Sequence, residues 1–192
     1  MGLPQKRITW ISPDEYLRME EVAATKHEYL DGVVYDWQGG GPASLARGSV
    51  AHNQVSGNVF ASLRQQLRGG PCRVFIADVR LNLADNSAYF YPDVMVSCSV
   101  ADRARSDGVS EPELIVEVLS GSTEDFDRGD KFASYRRFDS LAAYVLVSPE
   151  RRTVEVFTRA DGWQPHEPQR QGTVALGYRE LRLDIADVFE GI

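Results

Sequence analysis

The sequence predicts an α/β fold in which a mixed central sheet carries flanking helices. Three observations lead there. Val55, Val59, Leu63 and Leu67 recur every four residues, the apolar stripe of one helix. Leu114-Ile115-Val116-Glu117-Val118-Leu119 is a short, nearly continuous apolar run, the mark of a strand covered on both faces. Alternating strand-like segments stand before and after each helical one, which is the pattern of layered sheet and helix.

The elements follow in order. Ser12-Pro13-Asp14-Glu15 reads as a helix start, with Ser as N-cap, Pro at the first position and Glu at the third, and this helix extends to about Ala24. His27 to Tyr35 reads as strand, Asp31-Gly32 turn, strand. Gly39-Gly40-Gly41-Pro42 breaks the pattern, and a loop to Gly48 follows. The helix from Ser49 is stopped by Gly69-Gly70-Pro71. Arg73 to Leu83 and Tyr89 to Val100 are expected to form a hairpin, with a shift of face near Asp78. Asp102 to Ser110 is polar and expected as loop. After the buried run at 114–119, Asp127 to Phe138 reads as helix. Ala142 to Val147 and Thr153 to Thr158 read as paired strands, and a late strand is expected near 178–183.

A length of 192 residues suits one domain spanning 1–192, with 1–11 as a flexible or extended arm. No apolar stretch approaches the roughly 20 residues that span a bilayer, and no apolar segment follows the charges of the N-terminus. Cys72 and Cys98 stand in apolar, strand-like runs. With no secretory signal they are expected as free thiols in a reducing, cytoplasmic setting. The net charge of −7 argues against a protein that coats nucleic acid, because Lys and Arg supply most non-specific affinity for phosphates. It leaves room for transient contact through a local basic patch. Arg64, Arg68 and Arg73 are the nearest thing to one.

Glu117 needs a reason to stand in a buried strand. An isolated carboxylate there is costly, so it neutralises, pairs or binds a cation. A sheet edge or a structural ion pair would explain it blandly. Asp93, after Pro92 at the start of a strand, offers a second carboxylate if the two strands are neighbours. Mg²⁺ takes one or two protein carboxylates with water and phosphate oxygens, so one Asp and one Glu suffice for a phosphodiesterase site. Lys131, at the start of the following helix, would orient water or stabilise charge on the phosphate; its bland reading is a solvated lysine. His52 reads as a capping or packing residue rather than a general base. Asp78 is expected to pair with Arg80 or Arg73.

The segments Tyr91-Pro92-Asp93-Val94-Met95-Val96, Pro112-Glu113-Leu114-Ile115-Val116-Glu117-Val118-Leu119-Ser120, Ser122-Thr123, Asp127-Arg128-Gly129-Asp130-Lys131 and Tyr135 together resemble the Uma family of candidate restriction endonucleases. Glu28 to Tyr35, His52 and Phe75 to Arg80 fit as well, so the likeness runs from about Ser12 to Phe189. The resemblance implies a restriction-endonuclease-like fold of the PD-(D/E)XK superfamily and a Mg²⁺- or Mn²⁺-dependent endodeoxyribonuclease. Asp93 and Glu117 match the metal-binding acids, and the Val118 carbonyl would be a further ligand. Leu119 stands where that superfamily has lysine, and Lys131 looks like its relocated counterpart. Glu28 matches an acidic position expected to face the same cleft. DNA would be the partner, and a homodimer would suit cleavage of both strands. A non-catalytic binding or assembly module that keeps the fold is the rival reading, motivated by the acidic charge.

Overall fold

The computed structural model describes residues 6–37, 49–121 and 123–192. The glycine-rich breaker at 39–42, the loop to Gly48, residues 1–5 of the N-terminal arm and Ser122 lie outside these residues.

Strand β1 (Lys6–Thr9) leads to helix α1 (Pro13–Val22). Helix α1 begins as its residues dictate: the Ser12 hydroxyl accepts from the Glu15 N–H, and the Glu15 carboxylate accepts from the Ser12 N–H, a complete capping box with Pro13 inside it. It ends at Val22, slightly short of the expected Ala24. Strands β2 (His27–Leu30) and β3 (Val33–Asp36) pair antiparallel across Asp31-Gly32, both with positive φ, the conformation of a tight two-residue hairpin turn.

Helix α2 (Val50–Gln66) starts at Ser49, whose hydroxyl accepts from the His52 N–H. Then come β4 (Arg73–Ile76), β5 (Leu81–Asn82), β6 (Ala88–Phe90) and β7 (Val94–Ser97). The expected hairpin is present but folded over a corner. β4 pairs with β7 and β5 with β6, and the two halves belong to different sheets. Ala77 and Asp78, both at positive φ, make the bend on one strand, and Tyr91-Pro92-Asp93 makes it on the other. Asp78 pairs with Lys26, correcting the expected arginine partner; Arg80 instead donates to Asn82 and to the Asp107 carbonyl.

Within the polar segment that follows β7 is a short helix, α3 (Val100–Ala104), where loop was expected. Its Asp102 is buried and accepts from the Ser97 and Ser110 hydroxyls and from the Glu111 N–H, which offsets its desolvation. Strand β8 (Leu114–Val118) leads to α4 (Glu124–Phe126), a π-helical turn (Asp127–Lys131) and α5 (Phe132–Tyr135), then to the hairpin β9 (Ala143–Ser148) and β10 (Thr153–Thr158). Strands β11 (Thr173–Ala175) and β12 (Arg182–Asp184) pair with each other, and α6 (Ile185–Val188) follows.

One five-stranded sheet has the order β1-β3-β2-β6-β5 and the other β10-β9-β8-β7-β4. In the second, β8 runs antiparallel to β7 and parallel to β9, so the sheet is mixed as expected. One face of this sheet, with Val94, Val96, Leu114, Val116 and Val118, packs on Val55, Val59 and Leu63 of α2. The other face, with Met95, Ile115, Tyr144 and Leu146, packs on Phe90, Phe126 and Tyr135. Each fully buried Val or Leu contributes about 1.5–3 kcal/mol, so these two layers fix the sheet against its helices.

Cys72 and Cys98 form a disulfide, which corrects the expectation of two free thiols. The register explains it: Arg73 faces Ser97 across β4 and β7, so the next residues outward, Cys72 and Cys98, also face each other. Among the described residues, no helix is long and apolar enough to cross a membrane.

Candidate active site

Register also places the two acids. Val94 faces Val116 across the antiparallel pair β7 and β8, so one further step sets Asp93 beside Glu117. Strand alternation puts both on the face that carries Met95 and Ile115. The Asp93 N–H donates to Glu117 Oε2 at 3.2 Å, and the Val118 N–H donates to Asp93 Oδ2 at 2.7 Å. The backbone of each strand thus fixes the carboxylate of the other.

Lys131 meets this pair from the π-helical turn. It is only 5% exposed, so it is not the solvated lysine of the bland reading. Its Nζ lies 2.9 Å from Glu28, 3.1 Å from Glu117 and 3.3 Å from Asp127. Glu28 comes from β2 in the other sheet and also accepts from the Tyr91 N–H. The Tyr135 hydroxyl donates to Glu117 Oε1 at 2.7 Å, and the Tyr144 hydroxyl donates to the Asp127 carbonyl at 2.9 Å. An α-helix bonds i to i−4, whereas a π turn inserts one residue and turns the following side chains to a new direction.

Two residues to which the sequence reading gave no place in the site join it. His52 Nε2 lies 3.3 Å from Asp93 Oδ2, so this histidine faces the acid, and the cap of α2 is Ser49 instead. Asp127 is the third carboxylate on Lys131. Asp127 opens the segment Asp127-Arg128-Gly129-Asp130-Lys131, and its spacing of four from Lys131 is the signal the sequence offers. These residues line a cleft of about 550 Å³ together with Val118, Ser120, Trp37 and Arg152. Arg64, Arg68 and Arg73 do not line it; they border a separate groove between α2 and β4.

The charges do not balance. Glu28, Asp93, Glu117 and Asp127 confront one ammonium and one imidazole. Burial pushes Glu28 up, and the Lys131 charge only partly offsets it. Glu117 is raised well above the ordinary carboxylate range by burial, with Asp127, Asp93 and Glu28 adding repulsion against the pull of Lys131. Asp127 is raised for the same first reason. Asp93 behaves oppositely: burial would raise it, but His52, the Val118 N–H and Lys131 outweigh burial and hold it low. Lys131 is kept charged because its three carboxylates outweigh its desolvation. His52 is raised, since Asp93 outweighs burial.

Does this donor set fit a divalent cation? Among the described residues, no three His, Cys, Asp or Glu side chains already stand as a metal cage. Mg²⁺ does not require one, because it keeps several waters and takes one or two carboxylates. Asp93 and Glu117 supply that number of hard oxygen donors. The Val118 N–H and the His52 ring both meet Asp93 at Oδ2. The surplus of buried negative charge is what a cation would neutralise, so the residues fit.

The Uma2 family, described as "Putative restriction endonuclease", matches residues 13–186. Two proteins of Synechocystis sp. are similar. "Uncharacterized protein slr1290" is 36% identical over 151 residues, which is 79% of this chain and 75% of that protein. "Uncharacterized protein sll1609" is 35% identical over 136 residues, 69% of this chain and 72% of that one. A solved structure from Anabaena variabilis, titled as a "putative nuclease belonging to DUF820", superposes with a TM-score of 0.69 at 18% identity, covering 93% of this chain and 97% of that one. At that identity the likeness carries the fold alone: a mixed α/β sheet with flanking helices. With a match over nearly its whole length and relatives above one-third identity, the chain belongs to the Uma2 family.

Proposed function

We propose that the protein is a divalent-metal-dependent endodeoxyribonuclease. The observation that carries this reading is the meeting of Asp93, Glu117 and Lys131 at the end of two paired strands, inside an open cleft. Asp93, Glu117 and the Val118 carbonyl would hold Mg²⁺ or Mn²⁺. Such an ion lowers the pKa of a bound water and polarises a phosphate.

The chain's own groups supply the rest. The His52 imidazole fixes the Asp93 carboxylate, and the Asp93 and Val118 N–H groups fix the pair in register. The Lys131 ammonium stays charged and offers its positive field to a phosphodiester entering the cleft. Glu28 and Asp127 anchor that ammonium and hold it at the site. Arg152 stands in the cleft wall with its guanidinium donating to the Ile192 and Phe189 carbonyls, and adds positive charge at the mouth. DNA is the proposed substrate, a homodimer the proposed assembly for cutting both strands, and one domain the proposed organisation of residues 1–192.

The test is cleavage of supercoiled plasmid and single-stranded DNA in Mg²⁺ or Mn²⁺, with Asp93→Ala and Glu117→Ala as controls. Equal cutting by wild type and both variants would reject the reading. The acidic charge of −7 keeps the rival, a binding or assembly module, in view. Absence of a Mn²⁺-dependent thermal shift together with absence of cutting would favour it.

A further inference from the structure

The groove between α2 and β4, about 880 Å³ in size, is bordered by Arg64, Arg68 and Arg73, all exposed, and by half-buried Cys72. Among the described residues, no carboxylate lines it and none of the three arginines is in an ion pair. In a chain of net charge −7 this is a local reversal of sign. Its lining includes Cys72, one half of the disulfide with Cys98. The other sulfur, on Cys98, lies 3.4 Å from the Tyr178 hydroxyl. Since a disulfide sulfur has no proton, the hydroxyl donates. That hydroxyl in turn accepts from Arg179 Nε at 2.6 Å, which polarises it.

We propose that Cys72–Cys98 is a thiol–disulfide exchange site for small anionic thiols, attacked at Cys72 from the arginine groove with Cys98 as leaving group. The two sulfurs are unequal. Cys72 is reached from a cationic groove that concentrates anions, as charged clefts do. Cys98 is backed by a hydroxyl that donates to the departing thiolate, and a better-stabilised leaving thiolate departs faster. The step balances. A thiolate RS⁻ bonds to Cys72 Sγ, the Cys72–Cys98 bond breaks, and its electron pair leaves on Cys98 Sγ, which is hydrogen-bonded by Tyr178. A second thiolate attacking the mixed disulfide releases RSSR and the Cys72 thiolate, so two thiols reduce one disulfide. The link being opened ties the start of β4, an outer strand of its sheet, to the residue after β7.

The full chain, purified in air, is mixed with mercaptosuccinate (anionic), 2-mercaptoethanol (neutral) or cysteamine (cationic) at matched thiolate concentration. Release of the Cys98 thiol is timed, and the adduct is located by peptide mapping. The expected order is anionic fastest and cationic slowest, with roughly tenfold or more between the extremes at low salt. High salt should collapse that spread, since screening shortens the reach of the arginines. The adduct is expected on Cys72. Arg64→Glu with Arg68→Glu should invert the order, and Tyr178→Phe should slow all three thiols alike. Equal thiolate-corrected rates, an adduct on Cys98, or two free thiols in the air-purified protein would each overturn the proposal. The salt series needs no variant and decides the matter even if the double variant does not fold. Arginine variants that weaken DNA binding but leave exchange rates untouched would assign the groove to nucleic acid instead and end the exchange proposal.

Discussion

Asp93 and Glu117 are held through each other's strands: the Asp93 N–H donates to Glu117 Oε2, and the Val118 N–H donates to Asp93 Oδ2. The carboxylates are therefore set by β-register before any ligand arrives, which is the preorganisation a cation site needs. Shape-preserving changes separate charge from scaffold here. Asp93→Asn keeps an oxygen for the Val118 N–H and is expected to fold with stability within about 1.5 kcal/mol of wild type, whereas Glu117→Gln keeps one for the Asp93 N–H but turns its amide NH2 toward Lys131 and the Tyr135 hydroxyl and should cost about 1–3 kcal/mol. Both should lose at least about a hundredfold in DNA cleavage, because a neutral amide is a poor ligand for a hard cation. Urea denaturation and a plasmid assay on the same preparations check the two halves. A variant that folds and cuts at the wild-type rate would remove that acid from the proposed metal site.

Among the described residues, Lys131 is the only ammonium that meets Glu28, Glu117 and Asp127, and all four groups are buried. Removing one partner of a buried ionic cluster leaves uncompensated charge, which costs about 3–5 kcal/mol. Lys131→Met is expected to lower unfolding stability by that amount near neutral pH. The loss should shrink in acid, where the carboxylates take up protons. Chemical denaturation at two pH values measures it, and a loss under about 1 kcal/mol at neutral pH would show the cluster to be loosely solvated.

Much of this site was legible in the sequence, for a physical reason. Glu117 interrupts a run of apolar residues, and Asp93 follows a proline at a strand start, so each stands out against its neighbours. His52 did not stand out, because polar residues are ordinary at a helix start. Its aim toward Asp93 depends on how α2 lies across the sheet. Asp127 carried only a weak i,i+4 signal, and the π turn that brings Lys131 inward leaves no mark in composition. The disulfide was misjudged because pairing is set by the register of β4 on β7, which is a long-range property. The strand pattern was also legible, but its division between two sheets was not. That division rests on positive φ at Ala77 and Asp78, neither of which is a glycine.

Tyr135 and its contact with Glu117 give a smaller and cleaner prediction. The hydroxyl is buried and donates at 2.7 Å, and Tyr135 packs edge-on to Phe90 and Tyr144. Tyr135→Phe keeps the ring and deletes the donor, so it should cost about 1–3 kcal/mol. Loss of that donor should also raise the Glu117 proton affinity further. A thermal or urea comparison suffices, and an unchanged stability would mean that water replaces the hydroxyl.

The pH dependence of metal-free protein should run opposite to the usual acid denaturation. Glu28 and Glu117 lie above their ordinary value of 4.5, and Asp127 lies above 3.8. Groups raised on folding hold protons that the unfolded chain has released. Their stabilising contribution is therefore present in acid and lost as pH rises through the raised values. His52, raised above 6.5, acts in the same sense. Asp93, held below 3.8, opposes them only in stronger acid, where its contribution falls away as pH drops. Between about pH 5 and 8, where carboxylates and imidazole titrate, the melting temperature in chelator is expected to fall as pH rises. A cation that binds the ionised acids should do the reverse, because its competitor is the proton. Free Mn²⁺ at about 100 times its dissociation constant would add about 2.7 kcal/mol, and its melting shift should be larger at the alkaline end than at the acid end. Scans with chelator and with Mn²⁺ across that range test both slopes at once. A chelator curve that rises with pH would contradict the charge surplus, and a Mn²⁺ shift that ignores pH, or survives in Asp93→Asn with Glu117→Gln, would place the ion elsewhere.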